Sequence, residues 1–150
     1  MATTNTTYES LKLENQLCFP LYAAAREIVR KYTPFLREIQ LTYTQYIVML
    51  VLWEQKQLTV GELSTALYLD TGTLSPLLKT MEEKGLLTRQ HQTADARVVT
   101  VTITEAGEAL KEKAVSIPAQ MGSCIKLTAD EAKSLYSILY KLLNSSASTL

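Results

Sequence analysis

Two sulfurs and one cluster of hydroxyl and basic side chains are the groups in this chain that can do chemistry. The sulfurs are Cys18 and Cys124, far apart in sequence, with no CxxC spacing. The single histidine is His91, so a structural zinc site is not expected. An unperturbed thiol, with a pKa near ~8.5, is mostly protonated at neutral pH, and the thiolate is the nucleophile. Cys18 falls where a helix should begin, and a helix N-terminus favours an anion. Its neighbours Leu17, Phe19 and Leu21 are apolar and would surround the sulfur with a poorly hydrated site. On the residues alone, Cys18 reads first as a small buried hydrophobe, which most cysteines are. Cys124 lies in a connecting segment and is either a second reactive thiol or an idle one.

The second cluster lies between Leu58 and Ile103. Thr71, Thr73, Ser75, Pro76 and Lys79 fall at the start of a short amphipathic segment, and Asp95 and Arg97 sit at the tip of a β-rich pair. Small hydroxyls and a proline allow close backbone approach to phosphates, base edges and thymine methyls. An arginine on a hairpin can enter a minor groove, where the negative potential is strongest. Asp95, two residues earlier and on the same side of a strand, could orient Arg97 through a charge-assisted bond. Arg89, His91 and Lys84 add positive charge where phosphates would lie. The plainer alternative is a small helical domain with a hairpin and a solvated surface, or a winged helix that contacts protein.

The elements that must position these groups follow from periodicity. Leu17, Leu21, Ala24, Ala25, Ile28 and Tyr32 recur at three and four, so a helix is expected from Leu13, capped by Asn15. Pro20 is tolerated in its first turn, and Pro34 should end or bend it, with 35–39 as a continuation. A helix over 44–55, capped by Thr42 or Thr44, is apolar almost all round and should lie at the centre. Thr59 with Glu62 forms a capping box for a short helix whose Leu63, Ala66 and Leu67 face inward. Asp70-Thr71-Gly72 is the expected turn. Thr71 or Thr73 then opens a helix with Leu74, Leu77, Leu78 and Met81 inward and Gly85 at its end, placing Pro76 in its first turn. Strands are expected over 86–91 and 97–103, joined by a tip at 92–96. Thr104 should open a long helix to about Gln120, broken by Pro118 and Gly122, and Thr128 with Glu131 a last helix to Leu143.

The whole is mainly α with a small β-wing, a winged helix-turn-helix. It is organised as one domain with flexible ends at 1–12 and 144–150, dimerisation helices at 13–57 and 104–143, and a DNA-binding unit at 58–103. The chain has 150 residues and equal numbers of acidic and basic side chains. Neutral charge neither requires nor forbids nucleic acid, since a basic face can sit on a neutral protein. The longest apolar run, Tyr46 to Trp53, is far short of the ~18 residues of a membrane span. With no basic-then-apolar leader at the start, a cytoplasmic protein without a cofactor is expected.

The layout from about Leu13 to Leu143 resembles the MarR family of dimeric winged-helix repressors. The Asp95-x-Arg97 pair followed by TITEAG (Thr102 to Gly107) resembles the family's wing signature. LENQLCFPLYAAAREI, LTYTQYIVMLVLWE and LYLDTGTLSPLLKTMEEKGLLTR resemble its organic-hydroperoxide-sensing branch, with Pro20 a departure two residues after Cys18. The resemblance implies an intertwined homodimer reading a pseudo-palindromic double-stranded operator, without catalytic turnover. It implies that Cys18 senses organic hydroperoxide, that the partner subunit's tyrosines at positions 22 and 32 hydrogen-bond the sulfur, and that Cys124 resolves it as an intersubunit disulfide. Two other functions compete. One is a repressor of this family released by a lipophilic or phenolic ligand, with passive cysteines; the other is a thiol peroxidase, for which no arginine stands beside the cysteine.

Overall fold

The computed structural model describes residues 8–146. In chain order the elements are α1 (Cys18–Glu38), α2 (Tyr43–Gln55), β1 (Gln57–Thr59), α3 (Val60–Leu67), α4 (Thr71–Glu83), β2 (Leu87–His91), β3 (Val99–Ile103), α5 (Glu105–Ala109), α6 (Lys111–Ala114), α7 (Ile117–Cys124) and α8 (Ala129–Ser146). They form two compact units, Met1–Ile117 and Pro118–Leu150.

In the first unit α2 is the central helix, as its apolar sequence predicts. Thr42 and Gln45 close a capping box at its start. Val48, Met49 and Leu52 are fully buried, and Leu63, Leu74, Leu78, Met81, Leu87 and Val101 complete the core from the helices and sheet around it. The face of α2 carrying Leu50 is open. The sheet has three strands in the order β1-β3-β2, all antiparallel. The sequence reading missed β1, because three residues show no alternation; it pairs the free edge of β3, with Leu58 opposite Val101.

Four features differ from expectation. Residues 9–11 and 13–15 are 3₁₀ turns, and Asn15 donates its amide to the Glu9 carbonyl at 2.7 Å instead of capping α1, which starts at Cys18. Pro20 thus sits in the first turn, where its missing N–H costs nothing. Pro34 does not end α1, which runs to Glu38: buried Leu36 and Ile39 anchor the last turns, and packing outweighs the lost hydrogen bond. The segment after Thr104 is three short helices. The interruptions fall at Leu110 and at 115–116, while Pro118 lies in the first turn of α7 and Gly122 inside it. Ala66, expected inside, is exposed.

Gly107 shows what the TITEAG run is for. A Cβ there would stand 2.2 Å from the Leu86 carbonyl oxygen. The Trp53 indole donates to the Gly107 carbonyl at 2.9 Å, and Thr104 N donates to the same Leu86 oxygen at 3.1 Å. Only a residue without a side chain lets α5 start this close to the strand before the wing.

In the second unit, the Thr128–Glu131 capping box opens α8 as expected, with Glu131 N donating to Thr128 Oγ1 at 3.2 Å. The helix runs three residues past Leu143, and the hydroxyls of Ser145 and Ser146 donate to the Leu142 carbonyl. No side chain of α8 is buried, and Leu135, Tyr136, Ile138, Tyr140, Leu142 and Leu143 are exposed. The expected flexible ends lie largely at 1–7 and 147–150, outside the described residues.

Candidate functional site

The DNA-reading candidate is built from the ends of α3 and α4. Thr59 and Glu62 cap α3 reciprocally. After Leu67, Tyr68 turns the chain in the left-handed region at φ 53°, and the Ser64 hydroxyl donates to the Leu69 carbonyl. Asp70 is the N-cap of α4, not part of a turn with Thr71 and Gly72. Its two oxygens accept from Thr73 N at 2.7 Å and from the Thr73 hydroxyl at 2.8 Å. Those bonds, the side-chain one first, hold the Asp70 carboxyl below its ordinary range. Pro76 is consequently the sixth residue of α4, not in its first turn as expected, so the Gly72 carbonyl lacks the usual i+4 donor. Leu74, Leu78 and Met81 are buried, while Thr71, Thr73, Ser75, Pro76 and Lys79 are exposed on the other side. Gly85, at φ 73°, ends the helix: its N–H returns to Glu82 O and that of Leu86 to Met81 O.

The wing closes on an aspartate turn. Asp95 accepts from Arg97 N at 3.0 Å and from Arg97 Nε at 3.1 Å, and its second oxygen from Nη2 at 3.3 Å. The pair meets as expected, but through a turn and not through strand alternation, since β3 begins only at Val99. The Arg97 side chain is 91% exposed. Hydrogen bonds from Arg97 hold the Asp95 carboxyl below its ordinary range.

Thr71, Ser75, Arg89 and Arg97 line one cleft of about 480 Å³, floored by Leu78, Val98 and Val99. The fold therefore brings the start of α4, the second strand and the wing together. Arg89 is not loose within the cleft; it is paired with Glu82, a residue that type and spacing alone did not single out. Two other basic residues are not offered to a phosphate as expected. Lys84 Nζ donates to the Gln40 carbonyl at 2.7 Å and to Gln45 Oε1 at 3.1 Å, tying the end of α4 to the α1–α2 connection. His91 Nδ1 lies 2.7 Å from the Ala96 carbonyl and closes the wing.

Cys18 is the first residue of α1 and is exposed. Leu17, at the N-cap, supplies no side-chain bond, so the first-turn N–H groups have no side-chain cap. Tyr22 stands one turn on, exposed, with the Arg26 guanidinium 5.5 Å over its ring. Tyr32 is fourteen residues from Cys18, about 21 Å along a helix axis at 1.5 Å per residue. It cannot reach the sulfur of its own chain. It packs at 4.9 Å on Tyr43 and 5.7 Å on Tyr46, whose ring lies 6.4 Å from Trp53. Burial pushes the phenols of Tyr32, Tyr43 and Tyr46 up, so they remain hydrogen-bond donors well into alkaline pH. The sequence reading passed over Tyr43 and placed Tyr46 in the central apolar run without linking either to Tyr32; their i, i+3 spacing in YTQY was the available signal. Cys124 is the last residue of α7 and is half-buried. Among the described residues no group of three or more acidic, histidine or cysteine side chains could hold a metal, and no helix is long and apolar enough to cross a membrane.

The profile of the family described as Transcriptional regulator SarA/Rot matches residues 30–114, more than half of the chain. The organic hydroperoxide resistance transcriptional regulator of Bacillus subtilis (strain 168) is 48% identical over 136 residues, covering 91% of this chain and 92% of that protein. Among solved structures, reduced AbfR bound to DNA is similar with a TM-score of 0.76 and 33% identity, covering 94% of this chain and 99% of that one. Disulfide-formed AbfR is similar with a TM-score of 0.61 and 32% identity, covering 97% and 99%; AbfR is a protein of Staphylococcus epidermidis. These relatives are transcriptional regulators, and the chain belongs to their MarR-like, SarA/Rot-type winged-helix family, in the branch of the organic hydroperoxide resistance regulators.

Proposed function

We propose that this protein is a homodimeric, cytoplasmic repressor that binds operator DNA and is released when organic hydroperoxide oxidises Cys18. The observation that carries the reading is an exposed cysteine at the first residue of α1, in a chain 48% identical to a regulator named for organic hydroperoxide resistance. A neighbour bound to DNA in its reduced form, and another with a disulfide, support the same cycle. The Cys18 thiolate attacks the outer oxygen of R–O–O–H. The S–O bond forms as O–O breaks, and the alkoxide takes a proton to leave as alcohol. The Cys124 thiol of the partner subunit then displaces the sulfenic hydroxyl as water, forming an intersubunit disulfide.

The dimer is part of this reading. Phe19, Leu21, Tyr22 and Val29 of α1, with Leu17 just before it, and the apolar residues of α8 are exposed, and a second chain would cover them. A second chain also resolves the distance of Tyr32 from Cys18, since tyrosines then come from the partner. Residues 13–57 and 104–143 serve dimerisation, and 58–103 serve DNA. Thr71, Thr73, Ser75, Pro76 and Lys79 enter the major groove, Arg89 approaches the backbone, and Arg97, held by Asp95, enters the minor groove. Release by a lipophilic or phenolic ligand is disfavoured by the redox forms among the relatives.

Gel-shift titration of operator DNA, before and after cumene hydroperoxide, tests the reading. The wild type should release DNA on oxidation and Cys18→Ser should stay bound. Release of Cys18→Ser as readily as the wild type removes the sensing role. On non-reducing gels oxidation should crosslink the dimer, and Cys124→Ser should remain monomeric.

A further inference from the structure

The geometry points to Glu82 as a positioning residue for operator binding: it clamps the Arg89 guanidinium in one orientation in the cleft between α4 and the wing. The inference rests on the operator-binding reading above. Glu82 lies in the last turn of α4, and its two oxygens divide their work. Oε1 accepts from the backbone N–H of Arg89 at 2.8 Å. Oε2 accepts from Nε at 3.1 Å and from Nη2 at 2.9 Å. Both side chains are only about one-third exposed, 35% for Glu82 and 29% for Arg89, in contrast to the open Arg97. A guanidinium carries five N–H donors. Glu82 occupies two, leaving three on a planar fork that borders the same cleft as Thr71, Ser75 and Arg97.

The arrangement is unusual for a DNA-binding surface because the pair carries no net charge. Hydrogen bonds from Arg89 hold the Glu82 carboxyl below its ordinary range, so it is ionised at neutral pH. Coulomb attraction alone would make Glu82 a liability, since an acid beside phosphates weakens binding. Orientation is what the carboxylate supplies. A fork already held in place loses less rotamer freedom when it meets its target. The two effects have opposite signs, so the sign of the change on neutralising Glu82 decides between them. A third role, capping the β2 edge through the Arg89 backbone N–H, would be independent of the guanidinium.

The experiment is a double-mutant cycle in operator affinity at fixed salt, using the full-length reduced dimer. Glu82→Gln keeps the side-chain length and an oxygen for the Arg89 N–H, so the edge cap and the melting temperature should be retained. In the wild-type background it should weaken operator binding roughly five- to tenfold, and in an Arg89→Ala background by less than about twofold. Arg89→Lys, which keeps the charge and loses the fork, should bind as weakly as Arg89→Ala and be indifferent to Glu82→Gln. Tighter binding by Glu82→Gln, an equal loss in both backgrounds, or an Arg89→Ala variant that binds like the wild type each overturns the inference. Those results leave operator binding by the wild type intact. A wild-type protein that shows no operator binding instead overturns the repressor reading, and this inference with it.

Discussion

Replacing Gly107 with alanine sets two measurable effects against each other. Gly107 is the third residue of α5, a helical position where alanine is ordinarily better by roughly 1 kcal/mol. Here the added Cβ would lie 2.2 Å from the Leu86 carbonyl oxygen and 2.9 Å from Ile103 Cγ1. Real Cβ atoms do not approach a backbone oxygen this closely, so α5 must move away from the β2 entrance. That movement strains the bond from Thr104 N to Leu86 O and the one from the Trp53 indole to the Gly107 carbonyl. Forced repacking costs about 1–3 kcal/mol, and each weakened hydrogen bond up to about 1.5 kcal/mol. Against the helix gain of about 1 kcal/mol, a net loss of about 2–3 kcal/mol is expected. In a chain of this size that corresponds to a fall in melting temperature of roughly 5–10 °C. Thermal unfolding of the reduced protein followed by circular dichroism measures it. A Gly107→Ala variant as stable as the wild type, or more so, would refute the argument, because helix propensity would then have outweighed a contact the backbone cannot relieve.

Two further outcomes follow from individual contacts. Lys84→Ala should lower stability by about 1–2 kcal/mol by removing the donor to the Gln40 carbonyl and to Gln45 Oε1, which keeps only its bond from Thr42 N, with operator affinity falling only as far as folding does. A variant with unchanged melting and lost affinity would return Lys84 to the phosphate contacts. Asp95, whose carboxyl is lowered by the hydrogen bonds from Arg97, should keep the wing turn intact above the ordinary aspartate range of about 3.9 and release it only as pH falls through the lower folded value. Titration of the Asp95 carboxyl by NMR with Arg97 Nε as reporter checks this, and a midpoint at or above that of a free aspartate would contradict the tether.

The helices that could be read from the sequence are those in which local and tertiary signals agree. Thr42, Thr59 and Thr128 each stand three residues before Gln45, Glu62 and Glu131, and all three boxes form. Where the signals conflict, burial decides. Pro34 is a local breaker, yet Leu36 and Ile39 hold α1 together beyond it. Asn15 is a good cap residue with a nearer acceptor at Glu9. β1 has too few residues to show a period, and it exists because β3 needs a neighbour.

Legibility of the site was uneven for a related reason. Residue type and spacing reveal which side chains can contact DNA, but not which already have partners. Arg97 and Asp95 are two apart, so their pairing was within reach of the sequence. Lys84 and Gln40 are separated by more than forty residues, and Glu82 and Arg89 by a helix end and a glycine turn, so these charges looked available when they are engaged. The consequence for electrostatics is direct. Of the three basic groups at 84, 89 and 91 that a linear reading assigns to phosphates, Lys84 and His91 serve the fold, and Arg89 is neutralised by Glu82. Arg97, expected in the minor groove, has a 91% exposed side chain tethered to Asp95, and Lys79 is exposed on α4. A neutral chain with so little uncommitted charge on this face must obtain operator affinity from shape, oriented donors and two copies held at the right spacing, not from bulk attraction. A binder of that kind loses its target when the spacing changes, without any loss of contact residues, and under the proposed function this is how a thiol at the start of α1, outside the winged helix, would control it.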